Sequence, residues 1–124
     1  QYVKQGGDKI FVVIDAGMSD LIRPSHYDGY HAIERACGVD SGPVRTVDVV
    51  GPICETGDFF ALGREMPVPE GGDLLAVHTV GAYGFAMASN YNGRPRPAEV
   101  LVDGDDVRLV RRRETLEDMI RGEE

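Results

Sequence analysis

An arginine and a tyrosine four positions apart, Arg23 and Tyr27, are the first residues with the chemistry of a binding site. Pro24 suits the first turn of a helix, and a helical turn would bring the guanidinium and the phenol to one side. A guanidinium binds a carboxylate through two parallel hydrogen bonds, and a phenol adds a further directional one. The spacing therefore indicates a carboxylate-binding pair. The alternative is a surface arginine beside a half-buried tyrosine.

Cys54 and Glu55 form a second candidate, in the segment GPICETGD at residues 51–58. Glycine and proline bound this turn after a predicted strand, and such loops often direct side chains at ligands. The thiol can donate a proton or act as a thiolate, and the carboxylate can pair with an ammonium group. The alternative for Cys54 is a small buried apolar side chain.

Tyr83 is the third candidate, in the segment GAYGFAMASNYN at residues 81–92. The small residues around it allow a second backbone or a flat ligand to approach closely. The Tyr83 hydroxyl would then hydrogen-bond a phosphate or a carboxylate. The alternative is a tight turn with a tyrosine that only packs.

The composition argues against several classes of function. The chain has 124 residues, the size of one domain, with 13 Lys and Arg, 21 Asp and Glu, and a net charge of −8. Such acidity argues against nucleic-acid or anionic-membrane binding. Two cysteines, Cys37 and Cys54, are too few for a disulfide scaffold, and no zinc-ligand spacing is present. Without an apolar run of about 20 residues or a signal-peptide core, we expect a soluble, cytoplasmic domain that binds no metal.

The elements that would position these residues are short and mostly β. The helical signals fall on 24–30 and on 115–120, where Thr115 is an N-cap and Gly122 ends the helix, while 31–36 are ambiguous. Together the signals predict a Greek-key-like β-barrel or sandwich with a short helical segment and a C-terminal helix. The predicted strands are residues 10–14, 44–50, 74–80, 99–102 and 107–110, with 2–4 as a hairpin partner of the first.

Four segments, in this order and spacing, resemble the C-terminal β-barrel domain of a family of pyridoxal-phosphate (PLP)-dependent decarboxylases. This family has the alanine-racemase-like fold (fold type III), and within it the diaminopimelate decarboxylases are the most similar. Together the segments cover nearly the whole chain. They are DAGMSDLIRPSHY (15–27), VVGPICETGD (49–58), GAYGFAMASNYN (81–92) and RPRPAEVLVDG (94–104).

The resemblance implies a role for each candidate residue. Arg23 and Tyr27 would bind substrate carboxylate groups, and Tyr83 would lie close to the cofactor and the substrate. Cys54 and Glu55 would reach into the active site of the neighbouring subunit, which implies a homodimer with shared sites. There Cys54 would protonate the carbon that loses CO2, and Glu55 would lie near the distal amino group. Relatives that act on ornithine typically carry Asp after the Cys, so Glu55 favours diaminopimelate.

The resemblance also implies that the chain is one part of a larger enzyme. The family's PLP-binding lysine and its phosphate loop belong to an N-terminal TIM-type barrel, which 124 residues cannot contain. Neither Lys4 nor Lys9 matches the family's lysine motif. We therefore expect residues 1–124 to be a single C-terminal domain, inactive alone, whose partners are the barrel, PLP and an amino-acid substrate.

The activity implied for the complete enzyme is the PLP-dependent decarboxylation of meso-2,6-diaminopimelate to L-lysine. The residues alone leave two alternative functions open. One is a sister decarboxylase of another basic amino acid, such as arginine, ornithine or carboxynorspermidine. The other is a non-catalytic β-barrel module that has no barrel partner.

Overall fold

The computed structural model describes residues 2–38 and 42–124. The fold is mostly β, as predicted, and has three short helices, of which two were predicted. Among the described residues, no helix has the length and apolar composition needed to cross a membrane. The strands are β1 (Tyr2–Gly6), β2 (Lys9–Val13), β3 (Ile33–Arg35), β4 (Val44–Val50), β5 (Phe59–Pro67), β6 (Leu75–Val77), β7 (Glu99–Asp103) and β8 (Asp106–Arg111). The helices are α1 (Arg23–Tyr27), α2 (Gly84–Met87) and α3 (Leu116–Met119), with a 3-10 turn at Tyr91–Gly93.

The largest sheet, which we call the core sheet, has the strand order β1-β2-β4-β5. Its first two strands form the predicted hairpin, in which Gly6 pairs with Lys9 and Gly7 takes the left-handed conformation (φ 61°) that a two-residue turn requires. The interior of the protein forms on this sheet. Its buried apolar residues are Val12, Ile14, Leu21, Val47, Val49, Phe60, Ala61 and Met66.

Two neighbouring strands of the core sheet, β2 and β4, run parallel, with Val13 paired to Val50. The Ile14 N–H extends this pairing by donating to the Val50 carbonyl at 2.9 Å. Because parallel strands end at the same edge of a sheet, the segments that follow β2 and β4 must leave side by side. Those segments begin at Asp15 and at Gly51, so the topology brings two of the candidate regions together.

The remaining strands form two separate pairs, β3 with β6 and β7 with β8. The ambiguous residues 31–36 thus contain a strand, and the strand predicted at 74–80 is only three residues long. That strand stops before Thr79, whose φ of 61° is incompatible with an extended chain. The three sheets do not close into the predicted barrel within the described residues.

The last part of the chain, residues 94–121, is named here the C-terminal region. It contains the predicted β7–β8 hairpin, which turns at Gly104 (φ 59°), and the predicted helix α3. Thr115 caps α3 as predicted: its side chain accepts from the Asp118 N–H, and the Asp118 carboxylate accepts from the Thr115 N–H. Most residues of this region are exposed.

Candidate functional site

Arg23 is the first residue of α1, and its guanidinium lies on the ring of Tyr83, with 4.5 Å between the Cζ atom and the ring centroid. Pro24 is buried and anchors the helix, while Asp28 closes it in a left-handed conformation (φ 49°) and donates its N–H to the Arg23 carbonyl. A guanidinium stacked on an aromatic face keeps its N–H edge directed outward. The stack therefore presents a donor group suited to a carboxylate.

The same helix leaves Tyr27 largely in solvent, at 63% exposure, with its ring centroid 6.4 Å from that of His26. The aromatic partner of Arg23 is Tyr83, which is distant in sequence and half exposed. Helical spacing alone could suggest a partner for Arg23 only within α1. The Arg23–Tyr83 contact depends on tertiary packing and was not predicted.

Cys54 and Glu55 lie on the loop after β4, where Ile53 is buried, Cys54 is exposed and Glu55 is half-buried. One carboxylate oxygen of Glu55, Oε1, accepts from the Gly57 N–H and from the Thr56 hydroxyl, each at 2.9 Å. These two bonds lower the pKa of the Glu55 carboxyl, with a smaller contribution from the charge of His26. Glu55 is therefore anionic at neutral pH, with Oε2 left for a ligand.

Asp58 is a residue of this loop that the sequence reasoning did not identify. Its carboxylate is buried, and it accepts the Met18 N–H on Oδ1 and the Ile53 N–H on Oδ2, both at 2.6 Å. An aspartate after a glycine is common in turns, so the sequence did not indicate that the Asp58 carboxylate is buried.

The segment that follows β2, residues 15–20, connects the four sequence motifs. Through its Met18 N–H it binds Asp58 of the second motif. Its Ser19 carbonyl accepts from the Ser89 N–H of the third motif at 2.9 Å. Its Asp15 carbonyl accepts from the Arg94 guanidinium of the fourth at 2.5 Å. The segments that carry the candidate residues thus form one connected surface.

The space beside Tyr83 and the positions of the two lysines show what the described residues offer to a flat cofactor. A side chain at Gly81 would meet open space, so Tyr83 stands beside room for a planar ligand. The Lys9 amine lies 2.9 Å from the Asp48 carboxylate, and an amine held in an ion pair is a poor nucleophile. Lys4 is an exposed residue of β1. No group of three or more potential metal ligands occurs in the described parts of the chain.

Comparison with known proteins gives one consistent result. The family described as "Pyridoxal-dependent decarboxylase, C-terminal sheet domain" matches residues 1–81. Diaminopimelate decarboxylase from Neisseria meningitidis is 54% identical over 123 residues, which are 99% of this chain and 30% of that protein. The relative of the same name from Aquifex aeolicus is 54% identical over 114 residues, or 92% of this chain and 27% of its own length.

Solved structures agree with the sequence comparison. A crystal structure from Aquifex aeolicus superposes with a TM-score of 0.93 at 50% identity, covering 98% of this chain and 30% of that one. Diaminopimelate decarboxylase from Helicobacter pylori, complexed with L-lysine, gives a TM-score of 0.86 at 44% identity, covering 97% of this chain and 29% of that one.

The chain spans only 27–30% of the length of these relatives, so each of them is more than three times as long as the matched region. The match lies in their C-terminal part, and the fold agrees with that of a sheet domain. The resemblance found in the four motifs is therefore confirmed, and this chain belongs to the family of pyridoxal-dependent decarboxylases as a C-terminal sheet domain.

Proposed function

We propose that this chain is the C-terminal domain of an enzyme that decarboxylates meso-2,6-diaminopimelate to L-lysine with PLP. The observation that carries the proposal is the 54% identity, along 99% of the chain, to a protein named diaminopimelate decarboxylase. The larger part of the enzyme would be an N-terminal TIM-type barrel that contributes the PLP-binding lysine. Residues 1–124 would then act as a single domain within it.

The Arg23–Tyr83 stack would hold one end of the substrate. Arg23 would bind a substrate carboxylate through its outward N–H edge, with the exposed Tyr27 phenol as a further donor. Tyr83 would lie against the cofactor and the substrate. The 4.5 Å contact between Arg23 and Tyr83 supports this assignment, because a guanidinium that can donate hydrogen bonds to a carboxylate lies beside the aromatic ring.

Glu55 would bind the distal ammonium group of the substrate. Its lowered pKa supports this role, since the carboxylate stays charged at neutral pH, and its Oε2 atom is left for a ligand. A charged side chain that pairs with one end of the substrate discriminates against substrates that would leave it unpaired. Glu55 is thus the specificity residue of the proposed site.

Cys54 would supply the proton that replaces the lost CO2. PLP, when bound, accepts the electron pair that departure of CO2 leaves behind. The exposed, free thiol of Cys54 supports the role of proton donor, and the exposure is that expected if Cys54 and Glu55 act in the site of a second subunit. A homodimer with shared sites would then be the active form. A reducing compartment, the cytoplasm, suits a working thiol.

The test is CO2 release from meso-diaminopimelate by the complete protein that carries this chain, loaded with PLP, with ornithine and arginine as competing substrates. We expect release from diaminopimelate only. Glu55→Gln should raise the KM for diaminopimelate about tenfold or more, and Cys54→Ala should lower kcat by at least about tenfold. The absorbance of bound PLP should stay at its wild-type value in both variants.

Preference for ornithine or arginine would replace the proposal with a sister decarboxylase. A complete protein that binds PLP but releases no CO2 from any of these substrates would favour a non-catalytic module. Wild-type kinetics in Glu55→Gln would remove Glu55 from the site. A wild-type turnover rate in Cys54→Ala would make Cys54 a structural residue.

A further inference from the structure

We propose that Asp58 is a positioning residue, whose buried carboxylate fixes the Cys54–Glu55 loop against the segment that leads to Arg23. The inference rests on the proposed function. There Arg23 binds the substrate of its own subunit, and Cys54 and Glu55 act on the substrate of the neighbouring subunit. Asp58 itself would touch neither substrate nor cofactor. It would act through Ile53 and Met18.

Asp58 uses its two carboxylate oxygens for two different segments. Oδ2 accepts the N–H of Ile53, the residue directly before Cys54, and Oδ1 accepts the N–H of Met18, which lies 40 residues away in sequence. Both bonds are 2.6 Å long, and Asp58 is only 4% exposed. A buried carboxylate without hydrogen-bond donors would be strongly disfavoured. The two bonds therefore fix the position of the Asp58 carboxylate and also the positions of the Met18 and Ile53 backbones.

Two glycines leave the room that this carboxylate needs. A Cβ atom at Gly51 would lie 2.7 Å from the Asp58 Cγ atom, which is closer than packed atoms approach. A Cβ atom at Gly17 would lie 3.2 Å from Asp58 Oδ1 and 2.9 Å from Ile53 Cδ1. The carboxylate therefore sits in a close-fitting recess, and its position is defined by packing as well as by hydrogen bonds.

The main chain of Asp58 closes the same loop. The Gly51 N–H donates to the Asp58 carbonyl at 2.9 Å, and the Asp58 N–H donates to the Glu55 carbonyl at 3.1 Å. Residues 51–58 are thus joined at their ends through the backbone and at Ile53 through the side chain of Asp58. A shift of Ile53 would displace Cys54 and Glu55, and a misplacement of about 1 Å can cost about a hundredfold in rate.

A second buried aspartate provides a matched control. Asp48 is 5% exposed and accepts the Gly63 N–H at 2.7 Å and the Lys9 amine at 2.9 Å. It therefore has a comparable burial and a comparable set of bonds, but it joins strands of the core sheet. Loss of an acceptor at Asp48 should affect stability without moving the Cys54–Glu55 loop.

The experiment compares Asp58→Asn and Asp48→Asn in the complete, PLP-loaded protein. The amide replaces one acceptor oxygen with a donor that faces an N–H group, so each variant loses at least one hydrogen bond. For Asp58→Asn we expect faster amide hydrogen exchange in residues 51–58, with a KM for diaminopimelate raised about tenfold and a reduced kcat. For Asp48→Asn we expect a similar loss in Tm with wild-type exchange in 51–58 and wild-type KM.

The proposal is overturned if Asp58→Asn leaves exchange in residues 51–58 at the wild-type rate, or changes KM and kcat no more than Asp48→Asn does. A measurement on the wild-type protein guards against failure of the variant to fold. There the amides of Met18 and Ile53 should exchange slowly, and exchange at the rate of an unstructured peptide would also overturn the proposal.

The same measurements separate this inference from the proposed function. If the wild-type protein does not act on diaminopimelate, yet Asp58→Asn speeds exchange in 51–58 and Asp48→Asn does not, the loop-positioning role stands. In that case the proposed substrate alone is wrong.

Discussion

The core sheet and the C-terminal region are stabilised in different ways. In the core sheet, apolar side chains such as Val49 and Phe60 are buried against one another. In the C-terminal region, apolar side chains such as Val102 and Leu109 point into solvent. The hydrophobic effect stabilises the first region, and it contributes little to the second within this chain.

Charged groups hold the C-terminal region instead. Glu114 accepts from the Asn90 amide, from the Arg96 backbone N–H and from the Arg96 guanidinium, at 2.6 to 2.8 Å. The Arg111 guanidinium lies over the Phe85 ring, 3.8 Å from its centroid. Asp118 pairs with Arg112 and Arg121. The arginine side chains of these ion pairs are 35–78% exposed, so each pair is weaker than an equivalent buried pair.

This difference shows which region of the chain is stabilised by its own apolar packing. The family match ends at residue 81, after the core sheet and before the C-terminal region. A core of packed apolar residues is expected to persist in this chain alone. The exposed apolar side chains of the β7–β8 hairpin gain no such stabilisation within the chain.

The largest expected effect is in the core sheet. Phe60 is 3% exposed, so Phe60→Ala should lower the free energy of unfolding of this chain by about 3–5 kcal/mol. Leu109, at 64% exposure, is the matched control. Leu109→Ala should change the free energy of unfolding by less than about 0.5 kcal/mol. Urea denaturation of the two variants measures both values. Equal losses would contradict the division into two regions.

A smaller effect is expected from pH, confined to the C-terminal region. Hydrogen bonds from Arg96 and Asn90 lower the pKa of Glu114 from 4.5 to about 2. A carboxyl group with a depressed folded-state pKa contributes stability above its unfolded pKa and loses it as the pH falls through the folded pKa. The protection of the β7 and β8 amides against exchange, relative to an unstructured peptide at the same pH, should therefore fall between about pH 4.5 and pH 2, while the protection of β4 persists.

Glu114→Gln is the control for this pH dependence, because the amide does not titrate in that range. The variant should show lower protection of the hairpin amides at neutral pH, and that protection should change little further on acidification. A wild-type pH profile in Glu114→Gln would assign the effect to Asp118, whose pKa is also lowered, mainly by its hydrogen bond with Arg112.

The smallest expected effect is from salt. Raising the ionic strength from about 0.1 M to about 1 M shortens the Debye length from roughly 10 Å to 3 Å. Exchange in β7 and β8 should quicken by less than about tenfold, because pairs such as Arg111–Glu99 are partly screened. Exchange in β2 and β4 should not quicken. A faster core sheet at high salt would contradict its assignment to apolar packing.

Local signals in the sequence predicted the elements that depend on local chemistry. The β1–β2 hairpin follows from glycines between apolar runs, and the β7–β8 hairpin from Gly104 between two others. Helix α3 follows from its cap, since Thr115 and Asp118 satisfy each other's backbone groups. In each case the residues that decide the structure are close neighbours in the chain.

The elements that were missed depend on distant residues. β5 (Phe59–Pro67) was not predicted because Gly63, Arg64 and Glu65 interrupt its apolar run, although the apolar residues 59–62 after Gly57 and Asp58 were a usable signal. Helix α2 was not predicted, since the segment around Tyr83 was interpreted either as a ligand-binding segment or as a tight turn. No local pattern in the sequence indicated the parallel pairing of β2 and β4.

The candidate site was predicted in part for the same reason. The motifs identified the segments that carry Arg23, Cys54, Glu55 and Tyr83, and the family is confirmed. The roles of these residues remain proposals. The Arg23–Tyr83 stack and the two bonds of Asp58 are long-range contacts, which residue types and spacing do not reveal.

The parallel pairing of β2 with β4 also bears on how the protein folds. The hairpins β1–β2 and β7–β8 close short loops and can form early, on the microsecond scale of isolated hairpins. The β2–β4 pair and the Met18–Asp58 bond, with its separation of 40 residues, each require the closure of a long loop. The entropy cost of that closure comes before any stabilising contact forms. We therefore expect the candidate site to be among the last parts of the chain to assemble during folding.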